Sequence, residues 1–321
     1  MPVTRAWILI VLSLAFPVQG FAQTQSTRPI TLVVTIAAGG GMDTLGRFIA
    51  ERLQERLHQT VLVENRVGAG GLVGADSVAR AAPDGHTLLV MDVSTVLHKW
   101  LHRSVPFDVT QDFAPIAMVA TTPLMLFAQT SLPVSDAKEL IAHAKANPGK
   151  LSAGTPGVGT PHHLAALMLN SAANIDITQV PYRGSAPSVN DLLSGQIPLI
   201  WSTPVPVMPH VEAGKVKALA TASRQRNALF PQTPTIAENA LPGFGVDIWL
   251  GIAAPAKLPP EMRERLARTL HEITMLESVQ HRLTTLGYDL DYRAGDGFRE
   301  VIARDHQRYG AVIREAGIQP N

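Results

Sequence analysis

Short apolar runs alternate with amphipathic segments along the first third of the chain. Residues 30–37 are rich in β-branched side chains and predict a buried strand. After three glycines, apolar residues recur at three- and four-residue spacing to about Leu57, which predicts a helix. Strands are predicted at 60–63 and 86–91, around a small-residue helix at 71–82. This βαβαβ order predicts a mostly parallel sheet with helices on both faces.

The pattern changes at residues 113–129, a long and almost uncharged run that is interrupted at Pro123. We expect two strands in line here, through which the chain enters a second lobe, and a return strand at 246–254. Further elements are predicted as strands at 151–153, 177–181, 197–201 and 216–222, and as helices at 135–147 (with Ser135 as N-cap), 161–171, 185–193, 205–213, 259–274, 277–286 and 297–316. The last three helices are expected to pack back on the first lobe.

The prediction is therefore an α/β protein of two lobes joined by a two-strand hinge, with the lobes free to close. The first lobe is assigned residues 23–122 and 250–321, and the second lobe residues 123–249. A length of 321 residues is sufficient for two separate cores.

The N-terminal segment predicts an export signal. Arg5 is followed by an apolar stretch at 6–18 and by small residues that suit cleavage after Ala22. This stretch is too short to cross a bilayer and is interrupted by Pro17. We expect a secreted, periplasmic protein.

Composition excludes several classes of function. The chain has no cysteine, which excludes disulfides, thiol catalysis and thiolate metal cages. Removal of residues 1–22 leaves equal numbers of basic and acidic side chains, so no electrostatic footprint for nucleic acid or anionic lipid is present. We expect no cofactor, no metal and a monomer.

Three strand-to-helix junctions are rich in glycine and hydroxyl residues: 38–44, 154–161 and 182–187. Glycine lets main-chain N–H groups approach a ligand, and a helix N-terminus adds unpaired N–H groups and partial positive charge. A single junction of this kind can be a plain βα turn. Loops of this kind in both lobes would face each other across the cleft, which predicts a site for a carboxylate or a phosphate.

Other chemistries fit the sequence less well. The first junction lacks the two nucleotide-binding glycine patterns, GxxxxGK[ST] and GxGxxG. No GxSxG elbow marks a hydrolase, although the eleven histidines leave open a Ser/His/Asp set formed by chance. His162 and His163 lack metal-ligand spacing and are expected at a helix start that lines the cleft. Asp43 is expected to cap the first helix and order its loop, and residues 64–66 are expected to form a salt-bridged loop beside the cleft.

Eight short segments together resemble the Bug family, the extracytoplasmic solute receptors of tripartite tricarboxylate transporters (TctC-like). They lie in the order typical of that family, and the resemblance extends from about residue 28 to 320. The segments are 63–66 (VENR), 68–71 (GAGG), 83–85 (PDG), 107–108 (FD), 112–116 (DFAPI), 180–187 (VPYRGSAP), 191–197 (DLLSGQI) and 314–318 (REAGI).

The resemblance implies a type II periplasmic binding protein, a Venus flytrap that holds a small carboxylate by main-chain amides and bridging waters. It delivers this ligand to membrane permease subunits, or reports it to a sensor kinase. Arg183 is a candidate helper or a solvated loop residue. The ligand-binding residues that the resemblance implies are Ala38, Gly39, Gly40, Asp43, Thr155, Gly159, Thr160, His162, Gly184 and Ser185. Ser94, Ser202 and Thr203 are predicted as further ligand contacts.

Two departures from the family pattern bear on the ligand. Residues 35–37 replace the prolines and aromatic that open the family's first loop, and residues 201–203 (WST) replace a frequent Phe-Asp-Asn. An acid at the latter place would suit a ligand ammonium, so its absence favours a plain carboxylate over an amino acid. Two alternatives stay open: a secreted hydrolase of small acids, and an adhesion or interaction protein with a vestigial cleft.

Overall fold

The computed structural model describes residues 28–227 and 229–320, and these residues form two mixed sheets flanked by helices. The first part of the chain contains β1 Ile30–Val34, α1 Gly41–Leu57, β2 Val61–Asn65, α2 Leu72–Ala79, β3 Thr87–Asp92, α3 Val93–Leu101 and β4 Phe113–Thr122. The middle part contains β5 Met125–Gln129, α4 Ala137–Ala146, β6 Leu151–Thr155, α5 Pro161–Ala173, β7 Ile177–Pro181, α6 Ser185–Ser194, β8 Leu199–Ser202, α7 Met208–Glu212 and β9 Val216–Thr221. The last part contains α8 Ile236–Asn239, β10 Ile248–Pro255, α9 Pro260–Thr274, α10 Glu277–Thr285, β11 Asp289–Ala294 and α11 Gly295–Glu315.

The first sheet has the order β11-β4-β10-β3-β1-β2. We call this sheet and the helices packed on it the first lobe. Strands β2, β1 and β3 are parallel, which confirms the prediction from the βαβαβ pattern. The sheet as a whole is mixed, because β10 returns from the second sheet and runs antiparallel to both β3 and β4, and β11 runs antiparallel to β4.

The second sheet has the order β7-β6-β8-β5-β9, and with its helices forms the second lobe. It repeats the plan of the first sheet: β7, β6 and β8 are parallel, and β5 is antiparallel to both β8 and β9. In each sheet, helices follow directly from the carboxyl ends of parallel strands. Ligands of open α/β sheets bind at this edge.

The chain passes between the sheets twice, which confirms the two-lobe architecture. Strand β4 ends at Thr122 in the first sheet and β5 begins at Met125 in the second. Strand β10 pairs with β4 from Ile248 onward. The lobe boundaries at 122/123 and 249/250 remain predictions.

The C-terminal helices pack on the first lobe, as predicted, through a buried anchor on β10. The indole Nε1 of Trp249 donates to Asp305 Oδ2 at 2.8 Å, and its ring meets Phe298 edge-on at a centroid distance of 5.2 Å. Both partners lie on α11. A Cβ at Gly251 would lie 2.6 Å from the Phe298 ring, so a glycine lets the helix approach the strand this closely.

Several local features differ from the sequence prediction, among them the short helix α8, where no helix was predicted. Helix α3 was not predicted, although its N-cap Asp92 is a residue type typical of helix starts; it follows β3 directly, with no loop between them. Strand β11 was not predicted, although its six residues alternate between polar and apolar from Asp289 to Ala294. The N-cap of α4 is Asp136, not Ser135: Asp136 accepts from the N–H of Glu139, whereas Ser135 donates to the Glu139 side chain.

The predicted export signal at residues 1–22 lies outside the described residues. Within the described part of the chain, none of the helices combines the length and the apolar character that a bilayer crossing requires.

Candidate functional site

Four helix N-termini meet at one cavity between the lobes. Helices α1 and α3 begin there from the first lobe, and α5 and α6 from the second. The cavity has a volume of ≈ 40 Å³. It is lined by Ile36, Gly41, Met42, Asp92, Ser94, Thr122, Pro156, Thr160, Pro161, His162, Ser185, Thr203, Ile248, Leu250 and Tyr288. Among these lining residues none is a lysine or an arginine.

Two of the four helices begin without a side-chain cap. The N-cap of α1 is Gly40 and that of α6 is Gly184, and neither helix start receives a side-chain hydrogen bond. The first N–H groups of a helix have no partner within the helix and carry about half a positive charge. These two starts, one from each lobe, therefore present main-chain donors to the cavity.

The other two helices are capped by their own side chains. Asp92 accepts from both the N–H and the hydroxyl of Ser94 at the start of α3, each at 3.0 Å. Thr160 accepts from the N–H of His163 at the start of α5, at 3.3 Å, and its hydroxyl donates to Gly157 O. These starts have part of their hydrogen-bonding capacity already occupied.

The lobes approach each other closely at Gly41, the first residue of α1. A Cβ at this position would lie 2.8 Å from the Tyr288 hydroxyl oxygen and 2.9 Å from Thr203 Oγ1. Thr203 belongs to the second lobe, directly after β8. Glycine at position 41 therefore lets the start of α1 contact hydroxyl groups from two directions.

The loop before α1 is held by Asp43, as the sequence predicted, but the prediction that Asp43 caps the helix is wrong. The N-cap is Gly40, and Asp43 lies in the first turn of the helix. This carboxylate accepts from Gly39 N at 3.0 Å, from Arg47 Nε at 3.0 Å and from Asn65 Nδ2 at 2.8 Å. Burial raises the pKa of Asp43, but the hydrogen bonds outweigh burial and hold the pKa below its ordinary value. Asp43 thus stays ionised and fixes the loop rather than lining the cavity.

Two polar side chains of the cavity wall lack a hydrogen-bond partner among the described residues. The Tyr288 hydroxyl is one, and burial raises the pKa of Tyr288, which keeps it a donor. Both ring nitrogens of His162 are also unpartnered, and burial lowers the pKa of His162 to about 3, which keeps the ring neutral. Buried polar groups without a partner are costly, so they indicate hydrogen bonds made to something else.

Asp92 is the one acidic residue among those that line the cavity, and it is 6% exposed. Burial raises the pKa of Asp92 to about 6, in spite of the hydrogen bonds from Ser94 and Thr95 that favour its charged form. At pH 7 the ionised carboxylate of Asp92 therefore faces the cavity, and none of the lining residues is a lysine or an arginine.

The predicted site residues fall into three groups. Ser94, Thr160, His162, Ser185 and Thr203 line the cavity. Gly40 and Gly184 are the N-caps of the uncapped helices, and Asp43 orders the first loop. The remaining five do not line the cavity: Ala38 and Gly39 are exposed, Thr155 and Ser202 are fully buried at strand ends, and Gly159 lies at a contact between the lobes.

That contact is made by glycine loops and a histidine pair. A Cβ at Gly159 would lie 2.5 Å from His102 Nε2, and one at Gly70 would meet the carbonyl oxygen of Val158. The ring of His98 bonds Gly70 O at 3.2 Å. The two lobes therefore touch closely beside the cavity as well as at it.

Sequence reasoning missed the residues that reach the cavity from outside the glycine loops. Asp92 could have been found, since it is a polar residue directly after a buried strand beside β1. Tyr288 gave no indication, because it arrives from the turn between α10 and β11. Arg183 is exposed and does not line the cavity. Glu64 and Arg66 form the predicted ion pair, at 2.8 Å.

Two other features of the described residues can be compared with this site: possible metal ligands and a groove on the surface of the first lobe. The described residues contain no group of three metal-ligating side chains. A groove of ≈ 460 Å³ lies between α1 and α10, on the outer face of the first lobe, and is lined largely by charged residues that include Arg47, Glu51, Arg52 and Arg282.

Comparison with known proteins shows the family of this chain. The model of the tripartite tricarboxylate transporter family receptor (TctC) matches residues 45–318. The chain belongs to this family. The Bug resemblance is likewise confirmed, because the chain is 34% identical over 298 residues to protein BugT of Bordetella pertussis, covering 92% of this chain and 91% of BugT.

Solved structures of relatives share the fold of this TctC family member. R. palustris Rpa4515 with adipate matches with a TM-score of 0.88 at 31% identity, covering 92% of this chain and 99% of that one. MatC from Rhodopseudomonas palustris with bound malate matches with a TM-score of 0.85 at 32% identity, covering 90% and 99%. The two-lobe periplasmic binding protein fold is thereby confirmed, and its relatives are solute-binding receptors rather than enzymes.

Proposed function

We propose that this receptor captures a small carboxylate between its lobes, using main-chain N–H groups at the starts of α1 and α6. The observation that supports this most directly is the pair of glycine-capped helix starts, one from each lobe, at a single cavity without a lysine or arginine in its lining. Two helix starts of about half a charge each balance one carboxylate. Relatives solved with adipate and malate support the ligand class.

Closure follows from this arrangement. The carboxylate binds the N–H groups of one lobe, and the other lobe completes its hydrogen bonds only when the cleft closes. A ligand that contacts both lobes stabilises the closed form by this difference in contacts. Hydroxyls that face the carboxylate, including those of Tyr288 and Thr203, supply further donors. The closed receptor then docks on the membrane subunits of its transporter, which recognise that form.

A hydrolase is supported less well by the same cavity. His162 has no partner for either ring nitrogen among the described residues, so no carboxylate orients it as a general base. Ser94 donates its hydroxyl to Asp92 rather than to a histidine. The arrangement suits holding a ligand unchanged.

The proposed location is the periplasm, after export and cleavage following Ala22. N-terminal sequencing of the protein from a periplasmic extract tests the cleavage site. A mature N-terminus at Gln23 is the expected result, and retention of the first 22 residues in that fraction would contradict it.

Calorimetry with a panel of mono-, di- and tricarboxylates tests the binding function. At 100 times Kd a ligand raises the free energy of unfolding by about 2.7 kcal/mol, so a thermal-shift screen finds candidates first. The bound acid is then recovered and analysed. Recovery of the unchanged acid is expected; conversion to product would favour the hydrolase, and failure of every acid to bind would overturn the proposal.

A further inference from the structure

The acidic side chain of the cavity has a capping role that does not require its charge. Asp92 accepts two hydrogen bonds from Ser94 and so caps α3. An uncharged side chain performs the same task at α5, where Thr160 is the cap. Asparagine and serine cap helices about as well as aspartate. Capping therefore does not explain why an ionisable group occupies this buried position.

The surroundings of Asp92 balance its charge only in part, because the start of α3 supplies two hydrogen bonds from Ser94 and about half a positive charge. No basic side chain is among the described residues that line the cavity, and the neutral ring of His162 supplies no positive charge. Burial disfavours the charged carboxylate, which is why the pKa of Asp92 rises to about 6. A buried charge of this kind is normally paired.

The partial charges around the cavity indicate which ligand group pairs with the carboxylate of Asp92. The uncapped starts of α1 and α6 together match one negative group, and Asp92 matches one positive group. Because the start of α1, the start of α6 and Asp92 all border one cavity, a single ligand can carry both groups. We propose, building on the carboxylate function above, that Asp92 binds an ammonium group and that the ligand is a small amino acid.

Two further side chains fit the two poles of such a ligand. The Tyr288 hydroxyl, close to the start of α1, donates to the carboxylate. The neutral ring of His162 offers an accepting nitrogen to the ammonium, which has three protons to donate. The residues at 201–203, which lack the acid frequent in the family, are thus replaced in this role by an acid from a different strand.

Two series of acids that differ in a single group test the proposal. The first series is alanine, lactate and propionate, and the second is aspartate, malate and succinate. Within each series the ammonium group is replaced first by a hydroxyl group and then by hydrogen. In the series that fits the cavity, we expect the amino acid to bind at least 10-fold more tightly than the hydroxy acid and at least 100-fold more tightly than the plain acid.

The variant Asp92→Asn provides the matched control, because asparagine keeps the helix cap and removes the charge. We expect a loss of at least 100-fold for the amino acid, since removing one partner of a buried charge pair leaves the other charge unpaired. Affinity for the plain acid should stay within about 3-fold or rise, because the carboxylate pole is untouched. A thermal melt confirms that the variant is folded.

The outcomes separate this inference from the function on which it rests. If a hydroxy acid or plain acid binds as tightly as its amino counterpart, or if Asp92→Asn leaves the order unchanged, the ammonium proposal is wrong while carboxylate binding stands. If none of the six acids and none of the wider carboxylate panel binds, both proposals fail.

Discussion

The four helix starts around the cavity divide into two kinds that differ in how their N–H groups are used. At α3 and α5, Asp92 and Thr160 accept from the protein's own backbone. At α1 and α6, Gly40 and Gly184 leave that place without a side-chain acceptor. A capping side chain is worth about 0.5–2 kcal/mol to a helix. The difference supports the proposal that α1 and α6 keep their N–H groups available for a ligand, whereas the caps of α3 and α5 stabilise those helices.

The same division separates rigid from ligand-dependent parts of each lobe. Each lobe has one start of either kind, so each lobe contributes a fixed wall and a set of unsatisfied donors. A ligand that supplies the missing acceptor on both sides links the lobes, whereas the capped starts contribute nothing to that link. A substitution that gives an uncapped start a side-chain cap should therefore reduce ligand affinity. A substitution that removes an existing cap should instead reduce stability.

The largest effect is expected from Gly40→Asp, which gives α1 the cap it lacks. The backbone at Gly40 has φ −79° and ψ 167°, a conformation that aspartate adopts readily. Its carboxylate would occupy the N–H groups proposed for the ligand, and we expect at least a 100-fold loss of affinity, about 2.7 kcal/mol. Calorimetry with the best acid of the panel measures it.

Two controls isolate the carboxylate at position 40. Gly40→Ala adds the same Cβ, which meets only the tip of Ile36, and should weaken binding less than 10-fold. Ala294→Asp caps α11, whose start also lacks a side-chain cap and lies away from the cavity. It should stabilise the protein by about 1 kcal/mol and leave binding unchanged. Full affinity in Gly40→Asp would refute the role of α1.

The next largest effect is expected at the second uncapped start. Ser185→Asp places a charge on the first residue of α6, where Ser185 is buried and lines the cavity. Repulsion from the ligand carboxylate should reduce affinity about 100-fold, since the low-dielectric site screens it poorly. The variant Ser185→Asn, whose side chain has the size of aspartate but no charge, should lose less than 10-fold in affinity. Equal affinities of the two variants would show that charge at α6 does not matter.

Acid should act on the capped helices, because they carry buried histidines. Burial lowers the pKa of His98 on α3 to about 4 and that of His162 on α5 to about 3. Their contribution to stability is complete above about pH 6.5 and decreases as pH falls towards these values, by about 1.4 kcal/mol per pH unit for each. The raised pKa of Asp92 has the opposite effect and increases stability as pH falls from about 6 to 4. It offsets only one of the two histidines.

Denaturant unfolding at pH 7, 6 and 5 measures this decrease. His98→Gln keeps a donor for Gly70 O and removes the titration, so its stability should depend less steeply on pH than that of the wild type. His58→Gln serves as a comparison, because His58 lies at the end of α1, away from the cavity and from both capped starts. The prediction is wrong if the pH dependence is the same with and without His98.

The smallest effect is expected from removing a cap. Thr160→Ala should lower the free energy of unfolding by about 1 kcal/mol and change affinity less than 3-fold. The reason is that the Thr160 hydroxyl already donates to Gly157 O and accepts from His163 N, although the residue lines the cavity. Thr160→Ser should restore stability. A large loss of affinity would instead make Thr160 a ligand contact.

Much of the fold could be predicted from hydrophobic periodicity, but the site only in part. The glycine loops are local features, and their positions after buried strands placed Gly40 and Ser185 correctly at the helix starts. Tyr288 reaches the cavity only through the packing of α10 and β11 on the first sheet, which no local pattern encodes. The chemistry of Asp92 depends on its burial, which the sequence position alone does not give.

The proposed reliance on main-chain donors has a consequence for how such receptors diversify. Every residue type except proline carries an N–H group, so most point mutations in the loops before α1 and α6 cannot delete the carboxylate pole. Side chains that line the cavity, such as Asp92, His162 and Ile248, can be substituted without removing these main-chain donors. New ligand preferences can therefore arise in this family by single steps, without first losing the ability to hold an acid.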